Sequence, residues 1–150
     1  MILKGIGSLS HKKIRLGLYI MFSMYLLLMF WEVFIGPYRS YSGVRRYNLY
    51  PFKTIIEFIF NYSKYNFQVV FINIIANIIT FIPLGFFISL LSKRHFKLIN
   101  SALFCIFIIV SIEMGQFILN VGVLDVDDII LNALGCILGI ISYKVVRKFC

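Results

Sequence analysis

Residues 98–120, LINSALFCIFIIVSIEMGQFILN, decide the fold. The run is apolar without alternation, rich in Ile, Leu and Phe, and long enough to cross a bilayer as one helix, which takes about 20 residues. A strand of a membrane barrel would be about 10 residues long and would alternate apolar with polar positions. A helix satisfies its own backbone in hydrocarbon, where no water can do so. Glu113 and Gln116 interrupt the apolar run. A carboxylate at that depth costs about 3 kcal/mol or more unless it faces a polar interior, so this pair marks a candidate functional site.

Three further runs of the same character lie at 14–36, 67–91 and 126–143. With 61 % hydrophobic and 14 % charged residues, the chain has too little polar surface for a water-soluble globule. The sequence predicts an all-α membrane protein, a compact bundle of about four transmembrane helices forming one domain over residues 1–150. No repeat or Gly/Ser-rich linker divides it. Between the first two runs, Phe52, Ile55, Ile56, Ile59 and Phe60 recur at helical spacing after Pro51. They predict a short amphipathic helix lying in the interface, with Pro51 in its first turn.

Short basic segments set the orientation. Lys4, Lys12, Lys13 and Arg15 precede the first run, Lys93, Arg94 and Lys97 separate the second and third, and Lys144, Arg147 and Lys148 follow the fourth. All three segments belong on one side, which predicts a multi-pass cell-membrane protein with cytoplasmic N- and C-termini. The outer loop then carries Arg39, Arg45, Arg46, Lys53 and Lys64 against Glu57, which narrows the contrast. The net charge of +9 is split across both faces, arguing against a nucleic-acid partner. The first run is longer than a signal-peptide core, and Gly36-Pro37-Tyr38-Arg39 offers no small-x-small cleavage site, so its retention is expected.

Cys105 and Cys136 fall within runs and Cys150 ends the sequence, leaving no cysteine pair on the outer face for a disulfide. They read as small apolar fillers. His11 and His95 sit among the basic segments, and no Cys/His spacing of metal-site type occurs. No metal and no cofactor are expected.

The polar set inside the runs comprises Asn73, Asn77, Glu113, Gln116, Asp125, Asp127, Asp128 and Asn132. Counting inward at about 1.5 Å per residue puts Asp128 about 3 Å deep, Asn132, Asn73 and Glu113 about 10 Å, and Asn77 about 15 Å. The inner half holds weakly polar groups such as Ser89 and Ser101. This distribution predicts a cavity open to the outer face and closed toward the cytoplasm. Helical spacing gathers Asn73, Asn77 and Thr80 on one face, Glu113, Gln116 and Asn120 on a second, and Asp125, Asp128, Asn132, Gly135 and Gly139 on a third. Asp127 points about 100° away from Asp128, so the two carboxylates need not share a role.

Each element also has a purely architectural reading. Asp125 suits a helix N-cap with Asp128 as capping-box partner. Gly135 and Gly139 suit close helix packing, within the chain or in a homo-oligomer, and the three asparagines suit interhelical hydrogen bonds. Pro83 predicts a bend near Ile79 that either widens a cavity or is structural. Arg45, Arg46 and Lys53, beside the short helix, suit a phosphate or carboxylate ligand. They equally suit anchoring to membrane lipids through their headgroups.

Asn48-Leu49-Tyr50-Pro51-Phe52-Lys53-Thr54-Ile55 resembles the "NLiPF.ti" segment of VanZ-like membrane proteins. Asn77-Ile78-Ile79-Thr80-Phe81-Ile82-Pro83-Leu84-Gly85 resembles their "N...F.PlG" span. Glu113-Met114-Gly115-Gln116 followed by Asp125 to Gly135 resembles their "E..Q... D.DD...N.lG" ending. The likeness runs from about Asn48 to Gly139, and the order and spacing of the pieces are more specific than any one of them. Many members carry an arginine between the Gln and the Asp cluster, whereas Asn120-Val121-Gly122-Val123-Leu124 supplies none. The resemblance implies a multi-spanning protein of the cytoplasmic membrane, typical of Gram-positive bacteria, in a family named for a member associated with teicoplanin resistance.

Two function classes fit these residues. In the first, an outward polar cavity formed by Asn73, Asn77, Gln116 and Asn132 with Arg45, Arg46 and Lys53 binds a cell-envelope lipid, a lipid-linked cell-wall precursor or a lipoglycopeptide. In the second, an intramembrane enzyme modifies an outer-leaflet lipid or lipid-linked precursor. Glu113 would then be general base, and Asp127 or Asp128 an acid or ligands for a hard cation such as Mg²⁺ or Ca²⁺. No activated Ser, Cys or His nucleophile accompanies them.

Overall fold

The computed structural model describes residues 2–36, 45–60, 67–92 and 98–149. Arg39, Lys64, Lys93, Arg94, His95, Lys97 and Cys150 fall outside them. Among the described residues, four helices are long and apolar enough to cross a membrane, at Lys12–Phe34, Asn73–Leu91, Leu98–Leu119 and Val126–Phe149. They follow the four runs expected from sequence.

The chain forms two compact units, Met1–Gly36 and Pro37–Cys150. The first is α1 (Ile2–Phe34). One-turn pairs brace it: Tyr25 Oη donates to Met29 Sδ at 3.2 Å, and the Phe30 and Phe34 rings lie 4.8 Å apart. The helix closes with the Ile35 and Gly36 N–H groups both donating to the Trp31 carbonyl at 2.8 Å. Pro37 follows, and the residue before a proline is disfavoured in the helical region.

The second unit contains β1 (Tyr47–Asn48), α2 (Lys53–Phe60), α3 (Phe67–Phe71), a π-turn (Ile72–Ala76), α4 (Asn77–Leu91), α5 (Leu98–Leu119), β2 (Leu124–Asp125) and α6 (Val126–Phe149). Its closest packing joins α4 and α6, which run in the same direction, Gly135 beside Ile78 and Gly139 beside Ile82. Glycine makes this approach possible. A Cβ at Gly139 would lie 2.0 Å from the Ile82 carbonyl oxygen, one at Gly135 2.2 Å from that of Ile78, and one at Gly85 2.1 Å from that of Cys136. The Gly135/Gly139 stripe is therefore filled by α4 of the same chain. Around it Leu84 and Ile88 of α4, Cys105 and Ile109 of α5, and Leu131, Cys136 and Ile140 of α6 form the buried core.

Helix α5 ends one residue earlier than its apolar run because Asn120 adopts φ 59°, the left-handed conformation. The Asn120 N–H donates to the Phe117 carbonyl at 3.3 Å and the Val121 N–H to that of Gln116 at 3.0 Å, a Schellman closure. Asn120 is thus the helix stop and does not extend the Glu113–Gln116 face. Helix α4 runs unbroken through Pro83. A π-turn that contains Asn73 precedes it.

The short helix α2 is present, but Pro51 lies before it. The Lys53 N–H faces the Tyr50 carbonyl at 3.4 Å and Phe52 has φ 65°, which makes Tyr50–Lys53 a turn of type II with Pro51 at its second position. The Phe52 carbonyl accepts the Ile56 N–H at 2.9 Å, so Phe52 is the N-cap of α2.

Candidate functional site

The N-cap position normally carries a side-chain oxygen that takes up free N–H groups of the first turn. Phe52 has none. Asp127 of α6 does this work from outside the helix. Its Oδ1 accepts the Phe52 N–H, and its Oδ2 accepts those of Thr54 at 2.7 Å and Ile55 at 3.1 Å. The carboxylate is fully buried and sits at the positive end of the α2 dipole.

Asp125 makes the next layer of the same joint. Its Oδ1 accepts the Asp127 N–H at 2.9 Å, the N-cap bond expected from sequence, and also Asn48 Nδ2 at 3.2 Å. Its Oδ2 accepts Thr54 Oγ1 at 2.6 Å, and Thr54 Oγ1 receives Asn48 Nδ2 at 3.0 Å. The strands β1 and β2 pair in parallel beneath, Tyr47 against Leu124 and Asn48 against Asp125. A bond from the Leu124 N–H to the Arg46 carbonyl at 3.1 Å extends the pairing. Asn48 Oδ1 accepts the Tyr50 N–H at 3.3 Å, which starts the turn into α2.

Above this joint opens a cleft of about 600 Å³. Arg45, Arg46 and Lys53 line it together with Asn48, Thr54, Glu57, Val123 and Asp125. The Arg45 guanidinium stands 5.7 Å from the centroid of the Phe117 ring at the end of α5, a cation–π contact. The three basic residues singled out in the sequence thus share one wall system, held by α5, α6 and the β1/β2 pair.

The remaining polar residues lie deeper and pair across helices. Asn77 Nδ2 donates to Asp128 Oδ1 at 2.7 Å and to the Asn73 carbonyl at 3.0 Å, so α6 is tied to the π-turn at the head of α4. The side chains of Asn77 and Asp128 therefore meet, although counting from the ends of the apolar runs separated the two residues by about 12 Å. The count assumed that each run begins at the same height. In the structure α3 and the π-turn precede Asn77, whereas Asp128 is already in the first turn of α6. Asn132 Nδ2 faces Glu113 Oε1 at 3.4 Å, with Gln116 buried one turn further along α5. Asn132 Oδ1 is buried with no hydrogen-bond partner among the described residues. Among the described residues, no group of three His, Cys, Asp or Glu side chains converges as a metal ion would require.

The three quoted motifs converge as well. The 48–55 segment is bonded to Asp125 and Asp127, the head of α4 to Asp128, and α5 to Asn132. A family model described as VanZ/LLP1 matches residues 16–147. The chain belongs to this VanZ-like family. No curated protein and no solved structure matches it. In this VanZ-like chain sequence reasoning named the basic residues and carboxylates but gave Asn48 and Thr54 no role of their own. The signal was an Asn followed by a proline turn and a Thr at the second position of a helix, a pattern of side chains that bond backbone locally.

The Asn77–Asp128 bond makes a direct prediction. Asn77→Ala should destabilise the protein by about 1 kcal/mol, the usual worth of one interhelical hydrogen bond in a membrane. In a double-mutant cycle with Asp128→Ala, thermal unfolding in detergent should show the two losses to be less than additive.

Proposed function

We propose that this VanZ-like membrane protein contributes to lipoglycopeptide (teicoplanin) resistance through the cleft, which faces outward from the cell. There it holds the anionic headgroup of a cell-envelope lipid, of a lipid-linked wall precursor, or of the drug itself. The observation that carries this reading is the convergence of Arg45, Arg46 and Lys53 on one cleft of about 600 Å³. Two guanidinium forks and an ammonium suit phosphate or carboxylate, and the volume suits a headgroup better than a small ion. Tyr47, Leu49, Tyr50 and Phe52 expose large apolar side chains along the same segment, which favours an amphiphilic ligand over a fully soluble one. Acyl chains partition into the bilayer, so protection is expected against teicoplanin and much less against vancomycin, which lacks such an anchor.

The test replaces all three cations by glutamine, at matched membrane levels in a susceptible Gram-positive host. Wild type should raise the minimum inhibitory concentration of teicoplanin and leave that of vancomycin nearly unchanged. The variant should lose the effect, because each hydrogen bond from a charged group contributes about 1.5–3 kcal/mol to holding the headgroup. Full protection by the triple variant would remove the cleft from the mechanism, and no protection by wild type would remove the resistance role.

A further inference from the structure

We propose that Asp127 is the positioning residue of the cleft: it latches α2 to α6, thereby fixing Lys53, and does not act as acid, base or cation ligand. The proposal rests on the reading of the cleft as the binding site. Asp127 is fully buried and does not line the cleft. Both of its oxygens face backbone N–H groups, at Phe52 for Oδ1 and at Thr54 and Ile55 for Oδ2.

Those bonds answer two problems that the local sequence creates. Phe52 cannot cap its own helix, and at φ 65° it holds a conformation that a bulky residue adopts only when its surroundings impose it. An eight-residue helix is also too short to persist alone in water. Within the protein α2 buries no residue. Its start is tied to α6 by polar groups: the Asp127 carboxylate and the Asp125–Thr54–Asn48 bonds beside it. Lys53 is the first residue of α2, and Arg46 directly precedes β1. Lys53 therefore follows this segment, whereas Arg46 keeps its own tie to Leu124, and releasing the segment opens the Lys53 side of the cleft while leaving every group that lines it chemically intact.

The experiment uses the full-length protein in phosphatidylcholine nanodiscs and measures amide hydrogen exchange across residues 52–55. Asp127→Asn should speed exchange there by about tenfold or more, since charge-assisted bonds are lost and local opening becomes easier. In cells it should also lower teicoplanin protection. A disulfide between Tyr47→Cys and Leu124→Cys, the paired positions of β1 and β2, supplies a substitute tie. Added to Asp127→Asn, the oxidised cross-link should restore both slow exchange and protection, and the reduced form neither.

Wild-type exchange in Asp127→Asn would overturn the proposal. So would lost protection that the cross-link fails to restore, because that result assigns Asp127 to chemistry. If Asp127→Asn does not accumulate, the cross-linked protein is compared oxidised against reduced, and equal exchange in the two forms would equally refute the latch. Should wild type give no drug protection, the resistance role fails while the exchange arm still decides the latch.

Discussion

Gly139→Val should nearly abolish accumulation of the folded protein. The added Cβ would lie 2.0 Å from the Ile82 carbonyl oxygen and 2.8 Å from the Phe86 nitrogen, both backbone atoms of α4 that cannot swing aside. The α4 and α6 helices would have to separate, with loss of the packing around Leu84, Cys136 and Ile140. Overpacking of this kind costs about 3 kcal/mol for the first methyl, and a branched side chain costs more. In a membrane the loss is not offset by a hydrophobic drive between helices, because lipid tails are as apolar as the residues they meet. Gly17→Ala is the control. Nothing lies within 4 Å of its added Cβ, and exchanging Gly for Ala in a helix gains about 1 kcal/mol. Yield of monodisperse protein after detergent extraction, with its apparent Tm, reads both. A Gly139→Val protein with wild-type yield and Tm would refute the close α4–α6 approach.

Glu113→Ala is expected to cost about 3 kcal/mol. The side chain is 2 % exposed, so truncation leaves a cavity, and Asn132 Nδ2 loses its acceptor at 3.4 Å. Glu113→Gln keeps an oxygen for Asn132 and should accumulate close to wild-type levels. That variant also separates the two function classes. Under the binding reading it retains most of its teicoplanin protection, since the cleft residues are untouched. An enzyme with Glu113 as general base would lose function entirely at normal protein levels. Complete loss with normal accumulation would shift the account from binding to catalysis.

Much of the architecture was legible from residues because membrane helices must be long, apolar and self-satisfied. The runs at 98–120 and 126–143 needed no tertiary information to read as spans. Gly135 and Gly139 read as a packing stripe because spacing of small residues puts them on one helical face, but nothing in that spacing chose α4 over a second copy of the chain. Depth was less legible. Asn77 and Asp128 were separated by counting, and a 2.7 Å bond joins them, because apolar runs do not begin at a common height.

The candidate site divides in the same way. Arg45, Arg46 and Lys53 could be grouped from their nearness in sequence, whereas their common cleft takes part of its wall from Asp125, and Arg45 its ring contact from Phe117, more than 60 positions away. Asp127 shows the limit most clearly. The helical offset of about 100° said only that it need not share the role of Asp128. Its actual partners depend on the left-handed conformation of Phe52, a residue type that gives no sequence signal for that geometry. Asn120 carried a readable one, since Asn tolerates the left-handed region and commonly closes a helix there.

The most direct test of the cleft is native mass spectrometry of the purified full-length protein exposed to equal amounts of phosphatidylglycerol and phosphatidylcholine. If the cleft holds anionic headgroups, wild type retains phosphatidylglycerol selectively as collision energy rises, and the Arg45→Gln/Arg46→Gln/Lys53→Gln protein retains neither lipid preferentially. Equal retention of the two lipids by wild type, or undiminished selectivity in the triple variant, would contradict it.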